Sequence, residues 1–134
     1  MSALYDKARE KFLRGERSWN NDTYRAVLVT IDYTVDLANH EFLSDIDSGA
    51  RLATSAEIGS KTTTGGVADC ADFWFTAVQG DDGHYMVIYR DTGNAATSDL
   101  ISYHDSATTG LPITPNGGDI LVQIDAGADR LFKL

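Results

Sequence analysis

His104 followed directly by Asp105 is the pair whose types best suit catalysis, because a carboxylate can orient an imidazole for proton transfer. No Gly-x-Ser-x-Gly motif accompanies it, so a serine nucleophile is missing and a structural histidine is expected. The other histidines, His40 and His84, lie far from it in sequence, and none has metal-ligand spacing to a second His or Cys. Cys70 is the single cysteine, so an intramolecular disulfide is excluded. Flanked by Ala and Asp with no base nearby, it reads as a small buried or half-buried side chain and not as a nucleophile. Asp45-Ile46-Asp47-Ser48-Gly49 starts like a calcium loop, but its twelfth position is Ala56 and Glu57 comes one residue late. A cap-and-turn segment is the expectation there. The glycines form neither a dinucleotide fingerprint nor a phosphate loop. No cofactor and no metal is expected.

The elements that would position these residues are mostly strands. Tyr24–Ile31 is long, apolar and β-branched, with a Val-Leu-Val centre that predicts burial on both faces. Phe73, Phe75 and Ala77 share one face of a strand, and residues 85–89 are apolar on both faces. Asp81-Asp82-Gly83 between them supplies turn chemistry, so a hairpin over 73–90 is expected, in a central sheet position or with one face at an interface. Further strands are expected at 51–55, 60–64, 99–104, 120–124 and 130–134, with a short helical turn within 39–47 capped by Asn39. Leu4, Ala8 and Phe12 recur at helical spacing and predict a helix over 3–14, with Ser2 as its cap and Gly15 as its stop. Trp19 lies on the polar connector that follows, either as an exposed contact residue or folded back on its own domain.

The chain has 134 residues, enough for one domain with a real core. Regular turn signals between short strands predict a mainly β, single-domain antiparallel β-sandwich or small barrel with a short N-terminal helical arm. Residues 1–22 would be the arm and connector, and 23–134 the β-rich domain. The net charge of -9 argues against nucleic acid as a partner. No apolar run approaches the roughly 20 residues of a membrane span, so no membrane partner is expected either. The start of the chain lacks a signal-peptide pattern, and its composition is compatible with a reducing cytosol. Charge is uneven: residues 1–25 hold six Lys/Arg against four acids, and the remainder five against sixteen. A weakly basic arm could dock on a neighbour's acidic surface, or it could be a solvated helix of mixed charge.

Several segments together resemble a family of small virion proteins of tailed bacteriophages. They are Ala3-Leu4-Tyr5-Asp6-Lys7-Ala8-Arg9-Glu10-Lys11-Phe12-Leu13, Ala26-Val27-Leu28-Val29 and His40-Glu41-Phe42-Leu43-Ser44-Asp45-Ile46. Gly66-Val67-Ala68-Asp69, Tyr89-Arg90-Asp91-Thr92-Gly93 and the run from Thr109 through Pro112 and Pro115 to Asp119 follow in the same order. The resemblance implies a structural protein, not an enzyme, and is closest in type to capsid decoration (cement) proteins. Its implied partner is the major capsid protein, and its location the outer capsid of a virion made in the host cytoplasm. A homo-oligomer, with a trimer favoured, would suit three-fold joints of the shell. The expected contacts are Leu4, Tyr5, Phe12 and Trp19 of the arm, with exposed aromatics such as Trp74 or Tyr85. A low-copy protein of the head–tail junction or tail is the alternative, and a carbohydrate-recognising module a third reading.

Overall fold

The computed structural model describes residues 2–104, 114–122 and 132–133. Among the described residues, nine strands and one α-helix run in the order β1 (Ser2–Leu4), α1 (Asp6–Leu13), β2 (Tyr24–Val29), β3 (Arg51–Thr54), β4 (Val67–Ala68), β5 (Phe73–Phe75), β6 (Tyr85–Arg90), β7 (Leu100–His104), β8 (Ile120–Val122) and β9 (Phe132–Lys133). Five strands form an antiparallel sheet in the order β1-β7-β6-β2-β3, and β4-β9 and β5-β8 form two-stranded ribbons. The domain is thus mainly β and antiparallel, as expected. β1 and β3 remain edges, so the described part of the main sheet is open.

Burial follows from the strand order. β2, β6 and β7 lie inside the sheet, and successive residues of each are buried: Ala26 to Val29, Met86 to Tyr89, Leu100 to His104. Since successive strand residues point to opposite faces, both faces of this sheet are covered. Each Val, Leu or Ile removed from water here contributes on the order of 1.5–3 kcal/mol. The two-sided apolar character of 85–89 therefore marks a central strand.

The hairpin expected over 73–90 does not form. β6 is hydrogen-bonded to β2 on one side and β7 on the other, so neither edge is free for β5, which pairs with β8 instead. The turn chemistry at 81–83 serves another purpose. Gly83 is buried against β2, and a Cβ built on it would fall 2.7 Å from Leu28 Cγ, so glycine allows the loop to cross close over the sheet.

The N-terminal segment also departs from its expected form. Ser2–Leu4 is an edge strand paired with β7, not the start of the helix. Tyr5 ends that strand in an extended conformation, and its amide donates to the Ile101 carbonyl at 3.0 Å. The helix begins only at Asp6, and Gly15 follows it in the left-handed region with φ 75°, as its stop role predicts. The turn within 39–47 is a single 3-10 turn, Leu43–Asp45, capped by Asp45 and not Asn39. Its carboxylate accepts from the amides of Glu41 and Phe42 at 2.8 and 2.9 Å. Of the strand expected at 60–64, only an isolated bridge between Thr62 and Asp69 is present. Residues 109–113 of the C-terminal run, Asp105, and the ends of the strands expected at 120–124 and 130–134 lie outside the described residues.

Candidate interaction surface

Among the described residues, the ribbon of β5 and β8 carries a pair of exposed large apolar side chains. Phe73 and Phe75 point inward and are buried, so alternation turns Trp74 outward, where it is 51% exposed. Leu121 is its direct cross-strand partner and is 37% exposed. Cross-strand neighbours of this kind lie side by side on one face. The ribbon is held firmly beneath them. The Val78 amide donates to the Gly118 carbonyl at 3.1 Å, the Gly117 amide donates to the Val78 carbonyl at 2.8 Å, and Asp119 accepts from the Ala77 amide at 2.9 Å. An exposed tryptophan on a fixed backbone loses little entropy on binding, which is why this residue type dominates contact hot spots. Tyr85 is only half-exposed and packs its ring 5.2 Å from that of Tyr103.

The four arm residues expected as contacts face the other way. Leu4, Tyr5 and Trp19 are buried and Phe12 is half-buried against the same core. Trp19 is folded back: its ring lies 4.7 Å from Tyr24 and 5.4 Å from Phe132, and its indole N–H donates to the Asp69 carbonyl. Phe12 reaches the same corner, 6.4 Å from Phe132. The apolar stripe read as a docking face is therefore the stripe that attaches the segment to its own sheet. On the helix, only Leu13 is left strongly exposed among the large apolar residues.

The cation excess of the N-terminal segment is likewise consumed within the molecule. Arg9 pairs with Asp6, Lys7 with Glu10 and Arg14 with Glu16, all at the surface. The remaining three cross to the body. Arg25 meets Asp91 at 2.6 Å, Lys11 meets Glu41 at 3.1 Å and Asp99 at 3.0 Å, and Arg17 meets the second oxygen of Asp99. Arg90 adds a third cation to Asp99 at 3.4 Å. Asp99 is 2% exposed, so this cluster is an internal lock between the N-terminal segment and β6 and β7. Lys7, Arg9 and Arg14 stay at the surface, each beside an acid of the same segment.

The residues singled out for chemistry have structural partners. Cys70 is buried, and burial, helped by Asp69 and Asp72, pushes its thiol up to about 12, so it stays protonated near neutral pH. His104 is buried and its Nε2 lies 2.9 Å from the Ser102 hydroxyl. Among the described residues, no cluster of three or more His, Cys, Asp or Glu is arranged to hold a metal, and no helix is long and apolar enough to cross a membrane. One arrangement escaped sequence reading. The Tyr5 hydroxyl is 2.8 Å from the Tyr33 hydroxyl, which is 2.8 Å from His40 Nδ1. Burial raises both phenols, Tyr33 to about 12 and Tyr5 further, so both carry their hydrogens near neutral pH.

Four exposed or half-exposed carboxylates are held below the usual range, among them Glu16, first by its hydrogen bond from the Arg14 side chain. Asp36 is lowered first by the Asn39 side chain, and Asp91 first by the Gly93 amide with help from Arg25. For Asp45, burial works against the charge, but the Phe42 and Glu41 amides outweigh it. A carboxylate whose folded pKa is depressed stabilises the fold above its unfolded pKa and loses that contribution as pH falls through the folded value. Thermal stability is therefore expected to decline below about pH 4, with these groups contributing to the decline. Asp91→Asn should flatten that acid limb in a series of thermal melts, and an unchanged limb would remove Asp91 from the account.

Compared with known proteins, the chain matches no family model and no curated sequence.

Proposed function

We propose that this protein is a bacteriophage capsid decoration protein that binds the outer face of the assembled shell and stabilises it. The observation that carries the reading is the exposed Trp74–Leu121 pair on its rigid ribbon, on a domain whose N-terminal segment is locked inward. The resemblance to small virion proteins along nearly the whole sequence supplies the class of partner, the major capsid protein. A ligand that binds the assembled shell and not its loosened form stabilises the shell by mass action. The patch is small, so one contact is weak. A homo-oligomer, such as a trimer at a three-fold joint, would present several ribbons at once and gain through multivalency.

Quantitative mass spectrometry of purified virions tests the reading. The expected result is a simple fixed ratio to the major capsid protein. A handful of copies would move the protein to the head–tail junction or tail, and absence would discard a virion role. Trp74→Ser should lower occupancy on isolated shells by at least about tenfold, the scale of a hot-spot tryptophan. Undiminished occupancy would take the contact away from this ribbon.

A further inference from the structure

Tyr5, Tyr33 and His40 form a chain in which one direction gives every hydrogen an acceptor within it. Tyr5 is fully buried, and its hydroxyl contacts the Tyr33 hydroxyl. Tyr33 is also buried, and its hydroxyl lies between Tyr5 and His40 Nδ1. Two hydroxyls and one ring nitrogen share two hydrogen bonds. If Tyr5 donates to Tyr33, Tyr33 donates to Nδ1 and every hydrogen has an acceptor. If the chain is reversed, Nδ1–H donates to Tyr33, Tyr33 donates to Tyr5, and the Tyr5 hydrogen is left inside the core with no other acceptor given among the described residues. The first arrangement requires Nδ1 to be an acceptor, which places the imidazole hydrogen on Nε2.

We propose that this chain is an acid-sensitive latch on the segment 33–40, closed while His40 Nδ1 accepts and released when that nitrogen takes a proton. A protonated imidazole has donors at both nitrogens, so Nδ1 can no longer accept and the Tyr33 hydrogen must turn elsewhere, the chain reverse, or the contact break. Each of these leaves a buried phenolic hydrogen without an acceptor given among the described residues, whereas moving Tyr33 and His40 away from Tyr5 opens all three to water. The segment that would move is tied to the helix start: the Asp6 amide donates to the Leu37 carbonyl at 2.8 Å, and the His40 amide donates to the Asp36 carbonyl at 3.0 Å. Two carboxylates lie near the ring. Asp36 lies on the same segment and Asp45 on the following 3-10 turn, and both sense the imidazole. Tyr33 is stacked on it, with ring centres 5.5 Å apart. Glu41, the next residue, is engaged with Lys11. The latch lies apart from the Trp74 ribbon and does not depend on the proposed function.

Hydrogen exchange followed by NMR between about pH 8 and pH 5, the range in which histidine changes charge, tests it on the whole protein. Protection factors, corrected for intrinsic rates, are expected to fall by about tenfold to a hundredfold at the Asp6 and His40 amides as the imidazole titrates, the scale of one unpaired buried hydroxyl. Amides of β6 should stay protected. Nitrogen shifts of the ring should report the Nε2–H form at the upper end. His40→Asn keeps an acceptor near the Nδ1 position without a titrating group and should hold protection constant across the range. Tyr33→Phe removes the acceptor of Tyr5 and should give low protection at every pH. An Nδ1–H ring at high pH, flat protection in the unaltered protein while His40 titrates, or an unchanged pH dependence in His40→Asn would each overturn the latch.

Discussion

A chain lacking residues 1–19 is expected to lose its cooperative thermal transition and its near-ultraviolet circular dichroism. Read as sequence, these residues look like a dispensable arm, and their removal should spare a β domain beginning near residue 23. The structure gives them three roles in the core. β1 completes the edge of the sheet beside β7, and without it the N–H and C=O groups along that side of β7 are left open. Tyr5, Ala8 and Trp19 are buried, and loss of one large buried aromatic alone costs about 3–5 kcal/mol. Lys11 and Arg17 leave as well, and Asp99 keeps only Arg90 of its three cations. A domain of this size is stable by about 5–15 kcal/mol in total, so the summed losses reach or exceed what it has. A truncated chain that melts cooperatively near the temperature of the full protein would show that 23–134 folds alone. It would return the segment to the role of an arm.

How far the sequence reveals this arrangement depends on the range of each interaction. Local signals were readable. The two-faced apolar runs at 24–29 and 85–90 are interior strands, and Gly15 ends the helix where its freedom at positive φ is needed. Alternation also places Trp74 outward once Phe73 and Phe75 are taken as inward. Pairing was less readable, because apolar pattern fixes which face of a strand is buried and not which strand lies beside it. β5 and β6 are neighbours in sequence with turn residues between them, yet β5 joins β8 from far along the chain. The helical spacing of Leu4, Ala8 and Phe12 correctly marks an inward stripe but says nothing of what the stripe covers. Tertiary pairing with β7 overrides helix propensity at residues 2–4. The Asp99 lock and the Tyr5–Tyr33–His40 chain draw on residues scattered from 5 to 99, and no spacing rule assembles such sets.

Asp99→Ala should be the most damaging single substitution outside the apolar core, costing about 3–5 kcal/mol. The reason is what it leaves behind. Three cations converge on one carboxylate that is 2% exposed, and the Lys11 ammonium beside it has a side chain only 9% exposed. Removing the carboxylate strands Lys11 with Glu41 and the Phe42 ring, 4.8 Å away, as its remaining neighbours. Arg90 and Arg17 are more exposed and can turn toward water, so the penalty falls chiefly on Lys11. The backbone of residue 99 should hold its place, since its carbonyl accepts from the Arg90 amide at 2.8 Å whatever the side chain. Urea unfolding should therefore show a lower midpoint at an unchanged slope. Adding Lys11→Met removes the stranded charge while keeping an unbranched side chain of similar length. The double variant should then be more stable than Asp99→Ala alone by about 1–2 kcal/mol, within the usual coupling of contacting groups. If Asp99→Ala costs under about 1 kcal/mol, the cluster behaves as an exposed ion pair does. The N-terminal segment would then be held by Tyr5, Ala8 and Trp19 without an ionic lock.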